Sequence, residues 1–138
     1  MPRILLADDH PIVRKRVREV LESEMGWQVC AEAANGREAV EMTAAQRPEI
    51  VVLDLSMPEI GGLEAARQIH QKFPQTAVIM LTGHDAAHLT DTLPAFGVQA
   101  CVSKTDLDQL IQAIRRISQQ SLDSSTSTAA GKTMAAGS

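Results

Sequence analysis

Five polar side chains interrupt apolar runs at one recurring place. Asp8 and Asp9 follow Ile4-Leu5-Leu6-Ala7, Asp54 follows Ile50-Val51-Val52-Leu53, Thr82 follows the run from Ala77 to Leu81, and Lys104 follows Ala100 to Ser103. A carboxylate directly after a buried run needs a partner. Three carboxylates drawn together repel one another, and a hard divalent cation with oxygen ligands is the simplest way to hold them ionised, Mg²⁺ being the natural candidate. A lysine acting as a point charge and a hydroxyl acting as a donor complete a site for a phosphoryl group. Each signal alone is bland, because Asp-Asp before a proline is commonly a helix cap and turn, and a lysine after a strand is an ordinary solvated residue. Their placement at successive run ends is what makes the set specific.

The elements that must position these residues alternate along the chain. Arg3 to Ala7, Trp27 to Ala31, Ile50 to Leu53, Ala77 to Leu81 and Ala100 to Ser103 are short apolar stretches that predict five strands. Val13, Val17, Val20 and Leu21, then Leu63, Ala66, Ile69 and Phe73, recur at helical spacing. Asn35 is placed to cap a further helix ending before Pro48. Thr105-Asp106-Leu107-Asp108 opens a last helix with Leu107, Leu110, Ile111, Ile114 and Ile117 on one face. Asp85 to Phe96 is expected to be a short, kinked or broken helix, because Pro94 removes a hydrogen bond and clashes with the preceding turn. Strand-helix alternation calls for an α/β fold with a parallel sheet covered on both faces. In such sheets ligands bind at the carboxyl ends of the strands, where the polar residues fall.

The chain has 138 residues, a length that fits one domain. Its net charge of -4, two Phe, one Trp and no Tyr give no electrostatic or stacking basis for binding nucleic acid. The longest apolar runs fall far short of the ~20 residues of a membrane span, and the N-terminus lacks a secretory core, so a cytoplasmic location is expected. From Ser121 onward, 14 of 18 residues are Ser, Thr, Ala or Gly. That composition predicts a flexible tail or linker over 121–138, after a folded unit of 1–120.

Over nearly all of Met1 to Ser121 the chain resembles the receiver domain of two-component response regulators. The residues that carry the resemblance are Ile4-Leu5-Leu6-Ala7-Asp8-Asp9-His10, Val52-Leu53-Asp54-Leu55-Ser56-Met57-Pro58 with Gly62 and Glu64, Leu81-Thr82-Gly83 and Ser103-Lys104. Asp8-Asp9-His10-Pro11-Ile12-Val13-Arg14 and Asp54-Leu55-Ser56-Met57-Pro58 look most like receivers that precede a LuxR-type helix-turn-helix. The resemblance implies a flavodoxin-like, doubly wound (βα)5 domain with strand order 2-1-3-4-5. It implies Asp54 as the phospho-acceptor, and Asp9, Asp54 and the Ser56 carbonyl as Mg²⁺ ligands, with Asp8 assisting through water. Lys104 and Thr82 would engage the phosphoryl oxygens, and Ser56 and His84 would tune hydrolysis. Implied partners are a sensor histidine kinase or phosphotransfer protein and, on phosphorylation, a second copy. The implied output is a partner or a linked DNA-binding transcription-regulator domain. No enzymatic turnover is expected beyond self-phosphotransfer and autodephosphorylation.

Some residues depart from the family pattern. Cys101 stands three residues before the lysine, where the family usually carries Tyr or Phe, and a thiol has no ring to gate a surface. Thr105 follows the lysine where many receivers have proline. With Pro94, these changes surround the fourth helix, fifth strand and fifth helix, so signal transmission through another or a modified face is expected. Cys30 and Cys101, on opposite edges of the implied sheet, should be free thiols. His84 and His88 have the spacing of a zinc-binding helix but no further ligand, and Gly131-Lys132-Thr133 ends like a P-loop without its preceding strand. Neither is assigned a site. Arg14, Lys15, Arg16 and Arg18 make the first helix basic, either as a solvated face or as a docking surface for an acidic partner. A Mg²⁺-dependent phosphohydrolase with an Asp nucleophile is a competing class, but Ser56 stands where such enzymes carry a second aspartate. An unphosphorylated pseudo-receiver is the other, and the intact Asp8, Asp9, Asp54, Thr82 and Lys104 argue against it.

Overall fold

Neighbouring side chains of the central strands point alternately into two separate cores, both buried. A computed structural model of the chain describes residues 2–83 and 93–130. Strand β1 (Arg3–Ala7) is followed by α1 (Pro11–Glu22), β2 (Gln28–Ala33), α2 (Gly36–Gln46), β3 (Ile50–Asp54) and α3 (Gly62–Lys72). Then come β4 (Ala77–Thr82), a 3₁₀ turn at Leu93–Phe96, β5 (Val98–Ser103) and α4 (Leu107–Ala130). The sheet order is β2-β1-β3-β4-β5, and every pairing is parallel. The expected doubly wound topology is therefore present.

Ile4 and Leu6 of β1, Ile50 and Val52 of β3, and Ile79 and Leu81 of β4 pack on Val17 and Leu21 of α1 and Leu110 and Ile114 of α4. The intervening Leu5, Ala7, Val51, Leu53, Val78 and Met80 pack on Ala39 and Val40 of α2 and Ala65, Ala66 and Ile69 of α3. Strands β3 and β4 are buried at every position, as parallel strands sandwiched between helix layers must be. Chain winding reverses between β1 and β3, the two strands that deliver Asp8 and Asp54.

Local signals set the helix starts. The Asn35 side chain accepts a hydrogen bond from the Glu38 backbone N–H at 2.8 Å, and the Glu38 carboxylate accepts one from the Ala34 N–H at 3.0 Å. Asp106 caps α4 by accepting from the Gln109 N–H at 3.3 Å. Pro94 lies in the 3₁₀ turn, and the remainder of the expected fourth helix lies outside the described residues, as do His84 and His88. Helix α4 runs to Ala130, ten residues into the segment expected as a tail, because no Gly or Pro interrupts the chain between Ser121 and Ala130. Cys30 and Cys101 are free thiols on opposite edge strands. Among the described residues, no helix is long and apolar enough to cross a membrane.

The basic residues of α1 are only partly a solvated face. Arg14 Nε donates to Glu32 Oε1 on β2 at 2.8 Å, and Arg18 is ion-paired with the other oxygen of the same carboxylate. Lys15 and Arg16 remain exposed. Burial pushes the Glu32 carboxyl upward in pKa, but hydrogen bonds from Arg18 and Arg14 outweigh it and hold it below the ordinary glutamate value. A depressed carboxyl contributes stability that is present above its ordinary value and lost as pH falls through the lower one. Glu32→Gln should therefore cost about 1 kcal/mol at neutral pH in urea unfolding, with the difference shrinking toward about pH 3 and at high salt. A difference independent of pH would show that Glu32 contributes by packing alone.

Candidate functional site

Asp8 leaves the end of β1 fully buried, and Asp54 closes β3 almost as deeply. The site is built where these adjacent strands end. The Asp8 N–H donates to the Ala33 carbonyl at 3.0 Å, the Leu55 N–H to the Leu81 carbonyl at 2.9 Å, and the Lys104 N–H to the Thr82 carbonyl at 2.8 Å. Sheet pairing thus continues one residue past the strand ends and fixes the backbone under each functional side chain. Arg14 Nη1 adds a 2.6 Å bond to the Asp8 carbonyl.

Lys104 Nζ lies 3.1 Å from both Asp8 Oδ2 and Asp54 Oδ2. One ammonium thus serves two buried carboxylates. Asp54 Oδ1 accepts from the Ser56 N–H at 3.3 Å. Burial raises the Asp54 pKa and the neighbouring Asp8 charge adds to it, against opposing pulls from Lys104 and the Ser56 N–H. Burial also works against the Lys104 ammonium, yet Asp54 and Asp8 outweigh it and shift its pKa upward.

The sequence-predicted residues Asp8, Asp9, Asp54 and Lys104 are brought together. Ser56 is exposed and enters through its backbone N–H to Asp54. Thr82 is buried at the end of β4, with its side chain hydrogen-bonded to Cys101. His10, the next residue of the same motif, joins the three aspartates. Its Nδ1 lies 3.2 Å from Asp8 Oδ1, 3.0 Å from Asp9 Oδ1 and 3.9 Å from Asp54 Oδ2. The signal available in the sequence was a third polar residue directly after the aspartate pair and before the helix-starting Pro11.

The loop after Asp54 turns back so tightly that α3 must begin with glycine. A Cβ on Gly62 would meet the Asp54 carbonyl oxygen at 2.3 Å and Leu55 Cα at 2.8 Å, both rigid backbone atoms. Glu59 in the same loop has φ of 65°, a left-handed conformation that is uncommon outside glycine. Its carboxylate is anchored by Arg37 Nε at 2.9 Å.

The residues fit a hard cation. Asp8, Asp9 and Asp54 offer carboxylate oxygens that, with His10, lie within 4.8 Å of one another. One oxygen of each aspartate is buried without a hydrogen-bond partner. Such oxygens are what a Mg²⁺ site requires.

The model of the response regulator receiver domain family matches residues 4–115. The chain belongs to the response regulator receiver family. It is 38% identical over 118 residues to the response regulator UvrY of Escherichia coli O6:H1, covering 85% of this chain and 54% of the relative. It is 30% identical over 118 residues to the transcriptional regulatory protein DegU of Brevibacillus brevis, covering 85% of this chain and 50% of the relative. The chain thus spans about half the length of the curated relatives it matches. Among solved structures, a LuxR-family two-component response regulator from Aurantimonas sp. superposes with a TM-score of 0.81 at 38% identity, covering 85% of this chain and 84% of that one. The response regulator domain of Thermotoga maritima CheB gives 0.79 at 26% identity, covering 85% and 96%.

Removing one member of the buried charge set exposes its cost, since breaking a buried pair leaves an uncompensated charge. Lys104→Met should lower the stability of the metal-free chain by about 2 kcal/mol at neutral pH. Adding Asp54→Asn should restore most of that loss. Equal stability of Lys104→Met and wild type in urea unfolding would show that the lysine does not balance the two aspartates.

Proposed function

We propose that this receiver accepts a phosphoryl group on Asp54 from a phosphohistidine of a sensor histidine kinase or phosphotransfer protein, in a Mg²⁺-dependent reaction. The observation that carries the reading is a carboxylate buried at the winding reversal of the sheet, with Lys104 at 3.1 Å and two further aspartates beside it. In the reaction an Asp54 carboxylate oxygen attacks phosphorus in line, a P–O bond forms, and the P–N bond breaks with the imidazole as leaving group. The product is an acyl phosphate. Asp9, Asp54 and the Ser56 carbonyl would hold Mg²⁺, with Asp8 assisting through water, and the bound ion would neutralise phosphoryl charge. Lys104 would supply positive charge to the phosphoryl oxygens, and Thr82, at the end of the neighbouring strand, would donate its hydroxyl to them.

Several features support the finer reading. Ser56 is exposed where a phosphohydrolase would need a second buried acid, which favours self-phosphotransfer and autodephosphorylation over turnover of external esters. The protein-glutamate methylesterase of Hahella chejuensis is 31% identical over 128 residues, covering 84% of this chain but only 36% of that protein. This chain matches only a part of that enzyme. We place the phospho-switched unit at residues 1–120 and treat 121–138 as a connecting segment. Its output would be a partner protein, a second copy or a linked DNA-binding transcription-regulator domain, in the cytoplasm. The net charge of -4 argues that the chain itself does not hold nucleic acid.

Intact mass after incubation with Mg²⁺ and acetyl phosphate tests the chemistry. A gain of about 80 Da, the mass of one phosphoryl group, is expected in the wild type and not in Asp54→Asn. No adduct on a folded, Mg²⁺-binding wild type would make the chain a pseudo-receiver, and a gain that persists in Asp54→Asn would move the acceptor elsewhere.

A further inference from the structure

The acidic cluster has two unlike sides. Lys104 sits against the Oδ2 atoms of Asp8 and Asp54, while an imidazole sits against Oδ1 of both Asp8 and Asp9. His10 is the N-cap residue of α1, and Pro11 after it starts the helix. Its backbone N–H donates to Asp8 Oδ1 at 2.8 Å, so main chain and ring are tied to the same carboxylate. This places Nδ1 within 4 Å of oxygens from all three aspartates.

Nδ1 donates to these carboxylates when it carries the ring proton. With the proton on Nε2 instead, the neutral ring turns a nitrogen lone pair toward the same space, with no net change in charge. One carboxylate oxygen from each of the three aspartates lies within 4.8 Å of a ring nitrogen and of the others. The donor set is then mixed nitrogen and oxygen. Imidazole suits borderline transition cations such as Ni²⁺, Co²⁺ and Zn²⁺ and adds little for Mg²⁺, which is satisfied by carboxylate, carbonyl and water.

We propose that His10 supplies a nitrogen ligand to the Asp8-Asp9-Asp54 site, giving it a His-dependent affinity for borderline divalent transition cations on top of its affinity for Mg²⁺. The proposal rests on the cation-binding reading of that site. It makes this receiver sensitive to transition-metal supply: a borderline ion held partly by His10 competes with Mg²⁺ for the oxygens beside Asp54.

Calorimetric titration of the full chain with NiCl₂ and, separately, with MgCl₂ tests it. All proteins carry His84→Ala and His88→Ala to remove the other closely spaced pair of imidazoles. His10→Ala and His10→Asn are compared with the parent, the second because asparagine keeps a side chain able to cap α1. Circular dichroism confirms folding. Both variants are expected to lose Ni²⁺ affinity by about tenfold or more, the order seen when a ligand contact is removed, while Mg²⁺ affinity stays within about twofold. The visible spectrum of bound Co²⁺ should shift in the same variants. Ni²⁺ affinity that falls no more than Mg²⁺ affinity overturns the proposal and leaves the carboxylate site standing. A parent that binds neither ion overturns the proposal and the Mg²⁺ reading together.

Discussion

Everything at the functional end of this receiver depends on one unequal charge balance: a single ammonium, Lys104, set against two buried carboxylates, Asp8 and Asp54. Burying either carboxylate alone would cost several kcal/mol, and one lysine offsets that cost only partly. The residual shows as an Asp54 pKa raised by burial and by Asp8. A site left short of positive charge is electrostatically suited to a cation. The rest of the fold serves to keep the imbalance from relaxing. Two apolar cores clamp β1, β3 and β4, and main-chain bonds beyond each strand end prevent the aspartates from swinging into water. Gly62 lets α3 close down on the Asp54 backbone so that the loop cannot retreat.

Much of this was legible in the sequence, for local reasons. Strand-helix alternation, the Asn35 cap and the polar residue ending each buried run are carried by near neighbours, and the structure has them where they were expected. Strand ends were less legible. β5 begins at Val98 rather than Ala100 because it is an edge strand whose buried residues alternate with exposed Gln99 and Cys101. A continuous apolar run is the wrong template for such a strand. Strand order came from the family resemblance, since no local pattern encodes which strand lies beside which.

What could not be read depended on partners distant in sequence. Arg14 and Arg18 are paired with Glu32, which lies 18 and 14 residues further on, so a helix that reads as a free basic face is in part a bracket between α1 and β2. His10 shows in the sequence only as a third polar residue after the aspartate pair, and the fold decides that its ring meets Asp8, Asp9 and Asp54. The length of α4 was missed for a different reason. A Ser/Thr/Ala composition lacks an apolar face to pack, but it does not forbid continuing a helix already nucleated by Leu107 to Ile117.

The Cys101 position shows how a single replacement reshapes a relay. An aromatic ring couples a strand end to an outer surface by swinging through a large volume, and a thiol sweeps almost none. Here Thr82 is buried on the neighbouring strand and offsets part of the burial that pushes the Cys101 thiol pKa up. The Cys101 side chain is small and at the sheet edge, with no bulky group to bury or expose. The backbones of Thr82 and Lys104 are joined by a direct main-chain bond. Because Lys104 also contacts Asp54, the buried aspartate and the start of α4 share one connection, and that connection does not need an aromatic ring at position 101.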